Sequence, residues 1–235
     1  KEVFSGKAEE VYFSMNEKFE CNLLIGLGKE EDIEFDMLRK TFFKVAEVLL
    51  KNKVAEVELN IPKLNNLCNY KLAEAIAEGM LHATYKFDKF KSEKKETPEL
   101  IVNYNPIPGK EHRAEKGIDE AKKLIESIFL TRDLVNQPAN VIYPETLADI
   151  TKERLEAKGV KVTVYGKKEI EEIGMEAFLT VARASAKEPK LIVMEYYNNP
   201  ESDERIALVG KGLTYDSGGY AIKPATGMGD MHTDM

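Results

Sequence analysis

The sequence predicts an α/β protein in two parts. Strand and helix signals alternate over the first hundred residues, a long amphipathic helix follows, and a second crowd of short apolar runs fills the C-terminal part. CNLLIGLG (21–28) is an apolar run of strand length. Leu38, Phe42, Val45 and Leu49 then recur at helical spacing through FDMLRKTFFKVAEVLLK. VAEVELN (54–60) alternates apolar and polar residues as a half-buried strand does, and Leu72, Ile76, Met80 and Ala83 mark a second amphipathic helix. ELIVNY (99–104) supplies a third strand. Such alternation favours a layered sandwich around a largely parallel sheet.

NPIPGKEHRAEKG is a proline and glycine break. After it Ala121, Leu124, Ile125 and Ile128 share one helical face, and the domain linker is placed on that helix. The expected boundaries are 1–108 for an N-terminal α/β domain, 109–136 for the linker helix and 137–235 for the start of a second α/β domain with a central mixed sheet. There Pro144 opens a helix that ends at Gly159, and a short helix over 167–173 ends at Gly174. VKVTVY (160–165), AFLTVA (177–182), KLIVMEY (190–196) and RIALVG (205–210) are the strand candidates. Lys1 is not a start residue and no closing element precedes Met235, so the chain is expected to be part of something longer.

Composition excludes several classes. No apolar run approaches the roughly 18 residues of a membrane span, and KEVFSGKAEEVYF has no signal-peptide core, which points to the cytoplasm. A net charge of −7 argues against diffuse attraction to nucleic acid. Cys21 and Cys68 lie in neither a CxxC nor a metal-finger spacing, as expected of buried thiols in a reducing compartment. The stretch 86–96, with five lysines and three acids, reads as a solvated loop in preference to a phosphate-binding patch.

The chemistry concentrates in VGKGLTYDSGGYAIKPATGMGDMHTDM (209–235), which begins where a strand candidate ends. A dinucleotide fingerprint fails because Tyr215 stands where its third glycine belongs, and the P-loop order of glycine, lysine and hydroxyl is missing. Two readings stay open on the residues alone. One is a glycine-rich turn whose Lys211, Asp216, Lys223, Asp230 and Asp234 face water. The other is a metal-assisted hydrolytic site, with Asp216 and Asp234 as hard oxygen ligands and glycines allowing close approach. A lysine ligates only as the neutral amine, which requires a strong shift down from about 10.4, whereas a charged lysine stabilises an oxyanion. Lys211 and Lys223 could divide those roles.

VGKGLTYDSGGYAIKP followed by MHTDM resembles the metal-binding signature of the leucine aminopeptidase family, peptidase family M17. RDLVNQPANVIYPETLA, GMEAFLTVARASAKEPKLIVMEY and EAIAEGMLHATYKFDKFKS resemble other stretches of the same family, so the likeness covers essentially the whole chain. The resemblance implies a macro-like N-terminal domain and a metal-dependent aminopeptidase acting on peptide N-termini by attack of metal-activated water. It implies two divalent metal ions, zinc or manganese foremost, with magnesium or cobalt as alternatives, and a bicarbonate base. By the same resemblance Lys211 and Asp234 bind the tighter metal, Asp216 bridges both, Lys223 faces the scissile carbonyl, and Met231 lines the pocket for the first side chain. A homo-hexamer with inward-facing sites is also implied.

Tyr215 stands where relatives carry Phe, and His232 where many carry Lys or Arg. His232 is read as a surface or contact residue in preference to a third ligand, and His82 and His112 as ordinary surface or partly buried residues. By the resemblance, a further Asp, Glu and Arg after the position of Met235 complete the family's metal pair and hold its bicarbonate, so the 235 residues alone are expected to lack aminopeptidase activity. Rival expectations are DNA or nucleotide binding, or an assembly module without catalysis.

Overall fold

The computed structural model describes residues 3–17, 21–61, 63–64, 67–94 and 99–234. It divides into two compact units, Lys1–Leu130 and Thr131–Met235. The first contains β1 (Val11–Met15), β2 (Cys21–Ile25), α1 (Phe35–Lys51), β3 (Glu56–Asn60), α2 (Asn69–His82), β4 (Ile101–Asn105) and most of α3 (Glu111–Asn136). The second contains α4 (Pro144–Glu156), β5 (Lys161–Tyr165), α5 (Lys167–Ile173), α6 (Glu176–Ala182), β6 (Leu191–Glu195) and α7 (Ala225–Met228). Both units mix helix with short paired strands, as the α/β reading requires.

In the first unit the helical periodicity translates directly into burial. Leu38, Phe42, Val45 and Leu49 of α1 and Leu72, Ile76 and Met80 of α2 form one core with Leu59 of β3. Thr41 is buried among them, and its hydroxyl is satisfied by donating to the Met37 carbonyl at 2.9 Å. The β3–β4 pair is parallel, with Glu58 opposite Asn103 and Asn60 opposite Asn105. Its polar side carries an amide–carboxylate ladder in which Asn103 Nδ2 donates to Glu56 at 2.7 Å and Glu58 at 2.9 Å. Alternation along VAEVELN therefore sends carboxylates one way and Val57 and Leu59 toward the helices.

Glycines set the helix spacing here. A Cβ on Gly79 would fall 2.3 Å from the Arg39 carbonyl oxygen of α1, and one on Gly117 would fall 2.3 Å from that of Tyr70 in α2. Helix α3 starts at Glu111, within the 109–136 span expected for the linker helix, and Gly117, read as part of a break, serves close packing inside it. Its buried positions are Ala114, Gly117, Ala121 and Ile125, while Leu124, expected on the same face, is exposed.

Other expectations fail for identifiable reasons. β1 has no counterpart among the expected strands, because VYFSM is too short to carry a pattern; it pairs antiparallel with β2 in the register Val11 to Ile25. Among the described residues the first unit thus has one antiparallel and one parallel pair, against the largely parallel sheet expected. Both cysteines are exposed, not buried: Cys21 opens the short strand β2 and Cys68 stands just before α2.

In the second unit, Pro144 does open α4, and the Thr146 hydroxyl accepts from the Tyr143 N–H at 2.9 Å, satisfying a group at the helix start. Gly159 adopts φ 81° just beyond that helix. Gly174 ends α5 in the left-handed region at φ 85°, as its position after the short helix predicts. Strands β5 and β6 pair antiparallel. AFLTVA is helical, not a strand: a six-residue apolar run does not distinguish the two, and only Leu179 of α6 is buried. RIALVG forms no strand either. Ile206, Leu208 and Val209 are 92%, 93% and 99% exposed, and no described strand pairs with them. An apolar run has the composition of a strand but becomes one only with a hydrogen-bonding neighbour. Among the described residues no helix is long and apolar enough to cross a membrane.

Candidate metal centre

The chemistry-bearing loop lies within the second unit and is folded by a tight turn. The Lys223 N–H donates to the Ser217 carbonyl at 3.0 Å, closing the segment between them. Gly218 sits at φ 87°, and a Cβ there would lie 2.3 Å from the Ala221 carbonyl oxygen, so both conformation and space require glycine. This closure brings Lys223 Nζ to 2.8 Å from Asp216 Oδ2, and the Gly218 N–H donates to Asp216 Oδ1 at 2.9 Å. Pro224 then leads into α7 and a 3-10 turn, Gly229–Thr233, that returns the chain. The Asp216 N–H meets the Met231 carbonyl at 3.4 Å, and Lys223 Nζ donates to Met231 Sδ at 2.9 Å.

Asp234 forms the other half. Lys211 Nζ donates to its backbone carbonyl at 2.7 Å and forms an ion pair with its carboxylate. The buried Asp234 Oδ2 faces that ammonium but makes no directed hydrogen bond. The Asp216 carboxyl is held below its ordinary value of 3.8, first by the Lys223 hydrogen bond and then by the Gly218 N–H. The five expected residues fall into two groups of contacts, Lys223 with Asp216 and Met231, and Lys211 with Asp234.

A depressed carboxyl pKa stabilises the folded state above the unfolded value, and the contribution is lost as pH falls through the folded value. We expect Asp216, followed by carboxyl carbon NMR, to titrate below 3.8 in the cation-free chain and to rise toward an ordinary aspartate midpoint in Lys223→Gln, where the Gly218 N–H remains. An unchanged midpoint in the variant would contradict the pair.

The remaining candidates make other contacts. His232 Nδ1 lies 2.9 Å from the Gly229 carbonyl, and Tyr215 donates to the Met228 carbonyl at 3.2 Å. Asp230 is exposed and uses its carbonyl to accept from Thr233 at 2.7 Å. His112 is exposed; His82 lies edge-on to Phe43 with centroids 6.2 Å apart. In the lysine-rich stretch, Lys86 pairs with Asp88 at 3.2 Å and Lys89 lies over Phe90, while positions 95 and 96 fall outside the described residues. Sequence reasoning misses the carbonyls of Ser217, Met231 and Asp234 and the Gly218 N–H, because backbone groups carry no residue-type signal.

Among the described residues no three His, Cys, Asp or Glu side chains converge to hold a metal. The donors present nevertheless suit a divalent cation in kind: two carboxylates, each balanced by a lysine, with one carboxylate oxygen buried and undirected. A cation would offset the same carboxylate charge that the ammonium groups now offset.

Comparison with known proteins gives the family. Residues 1–94 match the family model described as the cytosol aminopeptidase family, N-terminal domain, and residues 129–235 match that of the family's catalytic domain. The chain belongs to the cytosol aminopeptidase family, peptidase M17. It is 77% identical to a probable cytosol aminopeptidase of Treponema denticola over 100% of this chain and 49% of the relative. It is 44% identical to one of Clostridium tetani, again over 100% and 49%. Among solved structures, the bottromycin maturation enzyme BotP in complex with Mn superposes at TM-score 0.82 and 26% identity, covering 98% of this chain and 48% of that one. A tomato leucine aminopeptidase mutant shares the fold at TM-score 0.69 and 23% identity over 80% and 38%. The chain spans about half the length of the curated relatives it matches.

Proposed function

We propose that the protein is a metal-dependent aminopeptidase that releases leucine-type residues from peptide N-termini, with Lys211, Asp216 and Asp234 holding divalent cation and Lys223 serving the scissile carbonyl. The observation that carries this reading is the pairing of the Asp216 and Asp234 carboxyls, each with one of the two lysines. Divalent cations bound there would acidify water and polarise a carbonyl at neutral pH. Asp216 is already deprotonated below its ordinary range and so offers oxygen ligands without waiting on pH. Lys211 would give up a proton to serve as an amine ligand. Lys223, one carboxylate away, keeps its charge and stabilises the tetrahedral oxyanion. The Gly218 N–H and the closed turn hold Asp216 in place, so neither side chain has to reorganise during turnover.

Family membership and a manganese-bound structural neighbour support the use of a divalent ion; zinc or manganese is our assignment, with bicarbonate as base. A cytoplasmic location and action on peptides are the accompanying proposals, supported by the relatives' description as cytosol aminopeptidases, and a homo-hexamer is proposed on the family resemblance alone. The test uses the protein at its relatives' full length with leucine p-nitroanilide. Turnover should vanish on chelation and return with manganese or zinc, and Lys211→Ala and Asp216→Ala should each lose metal-dependent turnover. Full activity in both variants would overturn these roles.

A further inference from the structure

We propose that Met231 is a positioning residue for Lys223: its thioether sulfur accepts from the lysine ammonium and aims that charge at the substrate carbonyl. The inference rests on the reading of Lys223 as the oxyanion-stabilising group and goes beyond a pocket-lining part for Met231. Two contacts carry it. Met231 Sδ lies 2.9 Å from Lys223 Nζ, and the Met231 carbonyl accepts from the Asp216 N–H at 3.4 Å. One residue thus clasps both members of the Lys223–Asp216 pair, one through its side chain and the other through its backbone.

The donor arithmetic gives the contact its meaning. An ammonium has three N–H donors and no acceptor. Asp216 Oδ2 takes one at 2.8 Å and Met231 Sδ takes a second, which leaves one for a substrate oxygen. Lysine is a flexible point charge on a four-carbon stem, and two fixed acceptors restrict where that third donor points. A residue serving only as an apolar wall would set carbon against substrate; here a polarisable sulfur is set against a cation. Leucine at this position keeps the apolar bulk but offers the ammonium no acceptor.

The experiment uses the protein at its relatives' full length. Met231→Leu should lower kcat on leucine p-nitroanilide by about tenfold, the scale expected for loss of a hydrogen bond to a charged group. The ratio of leucyl to alanyl turnover and KM should stay within about twofold, because the bulk facing the substrate is kept. An unchanged kcat with altered KM or altered leucyl preference would overturn the proposal in favour of a wall. A second readout needs no turnover. In protein carrying carbon-13 methyl-labelled methionine, Lys223→Gln should move the Met231 methyl resonance, identified as the one missing from Met231→Leu. An unmoved resonance discards this inference alone. A moved resonance with full turnover in Lys223→Ala discards the role of Lys223, and the positioning role with it, while the contact stands.

Discussion

Replacing Lys223 by alanine is expected to lower kcat of the full-length protein on leucine p-nitroanilide by about 100- to 1,000-fold, the loss typical when one preorganised oxyanion donor is removed. Lys223 meets the Asp216 carboxylate at 2.8 Å, and on the proposed function it would also meet the scissile carbonyl of a bound peptide. Only the second affects the transition state more than the ground state, so kcat should carry the loss and KM should change little. Metal content measured by atomic emission should be retained, since Asp216, Asp234 and Lys211 remain. A variant that keeps more than a tenth of kcat would remove Lys223 from the chemistry. One that loses its metal would make Lys223 a support of the metal site instead.

Gly79→Ala should destabilise the first unit, although alanine is the better helix former by about 1 kcal/mol. The added Cβ would sit 2.3 Å from the Arg39 carbonyl oxygen and 3.0 Å from the Phe43 nitrogen, both backbone atoms of α1. A flexible side chain could move aside, but a helix backbone moves only with the Leu38, Phe42 and Val45 row that it buries. Overpacking of this kind costs about 1–3 kcal/mol, which exceeds the propensity gain toward the upper end of that range. Urea denaturation followed by circular dichroism should show a lower midpoint for Gly79→Ala, and for Gly117→Ala as well. A raised midpoint in either would mean that the helices separate without loss.

The contrast between these two sites explains what a sequence can reveal. The spacing of Leu38, Phe42, Val45 and Leu49 is a local consequence of 3.6 residues per turn, so it names the buried face of α1 correctly. Pro144 and Gly174 act through their own backbone restrictions, and they mark helix ends where expected. Features that need a second segment are not legible. Gly117 looks like a break because its reason is the Tyr70 carbonyl of another helix. AFLTVA and RIALVG look alike as apolar runs, yet one is a helix and the other has no pairing strand among the described residues.

The site divides in the same way. Asp216, Lys223, Lys211, Asp234 and Met231 are found through a family resemblance, since spacing alone leaves a solvated turn equally open. The structure adds the pairing: Lys223 with Asp216 and Met231, and Lys211 with Asp234. It also shows why the glycines cluster there, for Gly218 lets Ala221 fold back over the turn that delivers Lys223. Residue types cannot disclose which lysine faces which carboxylate, because either assignment satisfies the same charge count.

The most direct measurement is anomalous diffraction from crystals of the full-length protein grown with zinc or manganese. A peak bonded to the carboxylates of Asp216 and Asp234 and to Lys211 Nζ, with Lys223 left unligated beside it, is the predicted result. Lys211 still paired with Asp234 as an ammonium, and no peak within bonding distance of either aspartate, would contradict it.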